Sequence, residues 1–90
     1  MTITKELTRD KILAYLNQSM TLPQLVDWAE NVLYEDEAEL AAQDAELLRD
    51  IIARLGVADV REFGLTWDDC SHFLARLGYQ AQVKAIPIAA

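Results

Sequence analysis

The 90-residue sequence is short of the residues that most often advertise chemistry or compartment: it has one cysteine, one histidine, three glycines and two prolines. Cys70 cannot close an internal disulfide, so the core must hold the chain, and nothing points to an oxidising compartment. The three glycines stand apart from one another, which leaves no glycine-rich phosphate loop. Low glycine and proline beside 52% hydrophobic residues argue against disorder. Long apolar runs are missing too, so neither a signal peptide nor a membrane span is expected, and the cytoplasm is the expected location.

Positive charge is the next scarcity, with eight lysines and arginines against fifteen acids and a net charge of −7. The deficit is local. Between Asp27 and Asp50 nine acids face Arg49 alone, whereas the stretches before and after are nearly balanced. Such a field repels phosphate backbones and anionic lipid, which argues against nucleic acid and membrane surfaces as partners, and it attracts a basic protein.

What is present is a set of helical signals. Leu47, Leu48, Ile51, Ile52 and Leu55 fall within roughly 140° of arc at helical spacing, the width of a face buried between several neighbours. This predicts a central helix, with Asp44 as its N-cap. Three apolar–threonine pairs, Leu7-Thr8, Met20-Thr21 and Leu65-Thr66, read as helix starts in which threonine accepts a bond from an orphan amide. They predict helices over about 9–17, about 22–34 and from Trp67 onward. The second start is strengthened by Gln24, which completes a capping box, and by Pro23 in the first turn. Leu33 belongs to the apolar face of that second helix, with Tyr34 pointing away. The central and last helices both end in Ala-Arg-Leu-Gly followed by an apolar residue, so Gly56 and Gly78 are both expected in the left-handed conformation of a helix stop.

Between these elements, a loop is expected to about Glu37, with helix resuming before Asp44. A short helical turn is expected over 59–64, with Val57, Val60, Phe63 and Leu65 reaching inward. Tyr79, Ala81, Val83 and Ala85 alternate with polar residues, the pattern of a half-buried strand. Its partner would be Thr2-Ile3-Thr4 or a second chain, and residues 85–90 form a frayed tail. The expected architecture is mainly α: a small four-helix single domain spanning 1–90, with one short helical turn and a short C-terminal β-strand.

Chemistry is harder to find. Cys70 and His72 lie two residues apart, about 200° around a helix, and cannot share a proton there. Cys70 falls on the apolar stripe with Trp67, Phe73, Leu74 and Leu77, and His72 falls on the polar face. No zinc set or calcium loop is present. No catalytic residue, metal or cofactor is expected, and the protein reads as a non-enzymatic interaction module. Tyr34 is the best candidate for an exposed aromatic, and an aromatic among acids suits a basic protein surface. The expected contact residues are Glu30, Tyr34, Glu35, Asp36, Glu37 and Glu39.

In size, charge sign and helix count the chain resembles the colicin nuclease immunity proteins, acidic four-helix domains that cover a basic nuclease with carboxylates and paired tyrosines. The resemblance implies an inhibitor of immunity or antitoxin type. Paired tyrosines are absent, so no residue is carried across. Gln18-Ser19-Met20 before a helix is similar to the Asp-Ser-Leu attachment site of acyl carrier proteins, with glutamine in place of the aspartate. That likeness implies a carrier modified at Ser19. A third expectation is a homodimer paired through the C-terminal strand.

Overall fold

Ile3 sits between two threonines, and that alternation anchors the chain. The computed structural model describes residues 2–34, 39–59, 65–80, 85 and 87. Thr2–Ile3 is a short strand, β1, with Thr2 exposed and Ile3 buried. It runs parallel to β2 (Glu39–Leu40), with Thr2 opposite Glu39 and Ile3 opposite Leu40. The Ala41 amide extends the ladder by donating to the Ile3 carbonyl at 2.9 Å. Among the described residues β2, rather than the stretch from Tyr79, is therefore the partner of the N-terminus. Ile3 and Leu40 both join the main apolar cluster, so pairing them buries apolar surface as well as satisfying backbone groups. Tyr79 and Gln80 belong to no strand, and residues 81–84 lie outside the described set, as do 60–64, where the short helical turn is expected.

The first helix, α1 (Lys5–Leu16), begins four residues before the expected start. Its N-cap is Thr4, extended at φ −111°, ψ 168°, and the Thr4 side chain accepts from the Leu7 amide at 3.1 Å. Ile3-Thr4 is a further apolar–threonine pair, and the anchored strand delivers Thr4 in the extended geometry that a cap requires. Thr8 is instead buried inside the helix, where its hydroxyl donates to the Thr4 carbonyl at 3.0 Å.

α2 (Leu22–Tyr34) starts and stops where the sequence predicts. The Gln24 side chain accepts from the Thr21 amide at 2.8 Å and the Gln24 amide donates back to Thr21 Oγ1 at 3.3 Å, the reciprocal capping box. A 3₁₀ turn, Ala42–Asp44, leads into the central helix α3 (Ala45–Leu55). Leu48, Ile51, Ile52 and Leu55 are wholly buried, and Leu47 is partly so. α3 packs most extensively on α2 and also touches α1 and β2. α4 (Trp67–Arg76) contributes Cys70, Phe73 and Leu74 to the same core, joined by Leu77 just past its end. Two ion pairs link α3 to α4, Asp50–Arg76 at 2.7 Å and Arg54–Asp69 at 3.7 Å. Rising numbers on one helix meet falling numbers on the other, so the two run antiparallel. Trp67, expected in the core, is 44% exposed, because it is the first helical residue and lies at the margin of the apolar stripe.

Helix termini diverge from expectation in instructive ways. Asp44 is the N-cap residue of α3, yet its side chain makes no capping bond. Its ψ of 10°, against 168° and 169° at Thr4 and Thr66, continues the preceding 3₁₀ turn and takes the carboxylate away from the helix amides. Gly78 is left-handed as expected, at φ 96°. The Tyr79 amide donates to Leu74 and the Gly78 amide to Ala75, completing a Schellman motif. Gly56 is not left-handed. It is right-handed at φ −66°, ψ −16°, and the chain winds on, with Val57 and Ala58 amides donating to Arg54 and Leu55. This turns Ala58 inward and leaves Val57 38% exposed. α1 closes with a Schellman motif that lacks glycine: Gln18 takes the left-handed position at φ 64°, the Ser19 amide donates to Ala14, and the Gln18 amide to Tyr15.

Candidate functional site

The capping box at Thr21–Gln24 fixes where α2 begins and therefore which side chains face inward. Leu25, Val26 and Ala29 are buried. Asp27, Glu30 and Tyr34 are exposed together with Pro23, and at helical spacing the four lie within about 60° of arc. Tyr34 at the end of this stripe is 82% exposed. Glu30 and Tyr34, both expected at the site, are thus brought one turn apart on one face. Asp27 joins them; its spacing of three and seven residues from Glu30 and Tyr34 carries that signal in the sequence.

Glu39 sits on β2, opposite Thr2, and is exposed, while Glu35, Asp36 and Glu37 lie outside the described residues. Among the described residues, no ion pair or hydrogen bond engages the side chains of Asp27, Glu30 or Glu39. α2 itself contains no basic residue, so the negative end of its backbone dipole has no cation in the last turn.

Four bases among the described residues have partners of their own. Arg9 pairs with Asp10 at 2.9 Å and lies over the Tyr79 ring at 4.7 Å. The Lys11 ammonium is 5.8 Å from the centre of the Trp28 ring. Arg54 and Arg76 bridge α3 to α4. Among the described residues these four cations engage groups other than the acids on the outer stripe of α2.

Two apolar side chains that the sequence assigns to the core are also exposed. Leu33 is 37% exposed and Val57 38% exposed. A methyl group placed on Gly56 would sit 3.5 Å from Leu33 Cδ1, so Leu33 packs against the residue preceding Val57. The C-terminal ends of α2 and α3 therefore meet. The N-terminus of α3 is about 16 Å away, the length of an eleven-residue helix.

The candidates for catalysis are not brought together. Cys70 is buried, and burial pushes its thiol up to about 11, with the nearby Asp69 charge adding to the effect. His72 is exposed and meets the Phe73 ring at 6.5 Å. No group of three or more metal-ligating side chains occurs among the described residues. Ser19 is exposed at the closing turn of α1. Among the described residues no helix is long and apolar enough to cross a membrane. Comparison with protein-family models, curated proteins and solved structures finds no match.

Proposed function

We propose that the protein is a non-enzymatic, acidic interaction domain that binds a basic protein partner, in the manner of an immunity or antitoxin-type inhibitor. The observation that carries this reading is the outer stripe of α2. Asp27 and Glu30 stand exposed with no ion pair among the described residues, and Tyr34 ends the row at 82% exposure. Exposed carboxylates steer a basic surface toward the domain over about a Debye length, and a protruding tyrosine supplies buried contact area once it docks. Glu35, Asp36, Glu37 and Glu39 follow in the chain and extend the same charge.

The test is co-purification with the products of neighbouring genes, using wild type and a variant with Asp27→Asn, Glu30→Gln and neutralised residues 35–39. The wild type should recover a basic protein in a strongly salt-dependent way, and the variant should lose it. Equal recovery by both would remove the basis of the proposal.

A further inference from the structure

Leu33 adds an apolar group to the exposed face of α2, and Val57 directly follows the glycine that Leu33 packs against. Both side chains are apolar and more than a third exposed, and they stand at the meeting point of two helix ends. Around α2, Glu30 lies between Leu33 and Tyr34, so carboxylate, aliphatic and aromatic groups alternate on one patch. Exposed apolar contacts rimmed by charge are the anatomy of a protein-docking surface.

We infer that this patch seats a basic polypeptide segment presenting an aliphatic side chain flanked by arginines. The aliphatic side chain would rest on Leu33 and Val57, while the arginines reach Asp27 and Glu30 and stack on the exposed ring of Tyr34. A second copy of this chain fits poorly, because a net charge of −7 on each molecule would bring like charges together at this face. The inference rests on the acidic-domain reading and adds to it the apolar half of the contact and the chemistry of the partner.

The test is calorimetric titration of the full chain with two synthetic helical peptides, one with arginines flanking central leucines and the other with serines replacing those leucines. At low salt the leucine peptide should bind wild type about tenfold more tightly, a difference of the size expected for burying one aliphatic side chain. Leu33→Ser with Val57→Ser should erase that advantage while both peptides still bind. Val57→Ser alone, which changes an exposed position, should reduce that advantage and serves if the double variant does not fold, whereas Tyr34→Ala should weaken both peptides alike.

Equal binding of the two peptides by wild type, or an advantage that survives the serine substitutions at Leu33 and Val57, would overturn the apolar contact and leave the acidic-domain reading standing. Failure of both peptides to bind at low salt would sink the two together. A wild-type dimer in sedimentation that dissociates with Leu33→Ser and Val57→Ser would instead assign the patch to self-association.

Discussion

The two Ala-Arg-Leu-Gly helix stops should respond to one substitution with opposite signs. Gly78 sits at φ 96°, and a Cβ there would meet nothing within 4 Å, so Gly78→Ala creates no clash and isolates the backbone cost. Left-handed backbone costs an L-residue about 1–2 kcal/mol, partly offset by about 0.4–1 kcal/mol from the less flexible unfolded chain. The net expectation is a loss of roughly 1 kcal/mol. Gly56 is already right-handed, and its added Cβ would find its nearest neighbours at 3.5 Å, ordinary contact. Gly56→Ala should therefore gain about 0.4–1 kcal/mol through the unfolded state alone. For a domain of this size 1 kcal/mol moves the midpoint by about 4–8 °C. Thermal unfolding followed by far-ultraviolet circular dichroism should show Gly56→Ala melting higher than wild type and Gly78→Ala lower. Gln18→Gly extends the series: it relieves a side chain at φ 64° and should raise the midpoint. If Gly56→Ala and Gly78→Ala fall by similar amounts, Gly56 is left-handed in solution and the account of the α3 terminus is wrong.

Capping gives a second contrast: Thr66 and Asp69 form a complete capping box, whereas Asp44 makes no side-chain bond at the head of α3. Denaturant titration should show Thr66→Ala costing about 1–2 kcal/mol and Asp44→Ala about 0.5 kcal/mol or less. Asp69 is held below its ordinary 3.8, chiefly by accepting the Thr66 backbone amide, with burial opposing the shift. Its contribution is fully present above about 3.8 and lost as pH falls through the lower folded value, so Asp69→Asn should flatten the acid limb of a stability–pH curve. An unchanged acid limb would mean that other carboxylates govern it. Cys70, buried with its thiol raised to about 11, should resist alkylation in the native domain at mildly alkaline pH and label readily in denaturant. Rapid native labelling, measured by intact mass, would show that the α4 core opens freely.

What the sequence revealed depended on whether the signal was local. α2 is legible at both ends because its cap, proline and apolar spacing all lie within the helix. α3 is legible for the same reason, its buried aliphatics recurring at helical spacing. The start of α1 was not, since Thr4 and Thr8 each follow an apolar residue and only the strand held by Ile3 favours the first. β1 and β2 are two residues long, too short for any periodic pattern, and their pairing depends on a contact some 37 positions away. Gly56 and Gly78 follow identical triplets, and what separates them is whether the next residues wind onward, as Ala58 does into the core, or turn back, as Tyr79 does. That Tyr34 projects from α2 was legible from its helical position, with Glu30 one turn before it. Asp27 needed only the helical spacing. Leu33 and Val57 were hidden because an apolar residue beside a core face reads as core until the packing of two helix ends shows its outer side.

We propose the outer stripe of α2 as the surface that meets a basic partner. Amide chemical shifts of the labelled domain, followed during titration with the arginine–leucine peptide, test it most directly. Shifts should concentrate at Asp27, Glu30 and Tyr34, reach Leu33 and Val57, and fade as salt is added. Shifts centred on α1 or α4, or spread evenly over the domain, would contradict it.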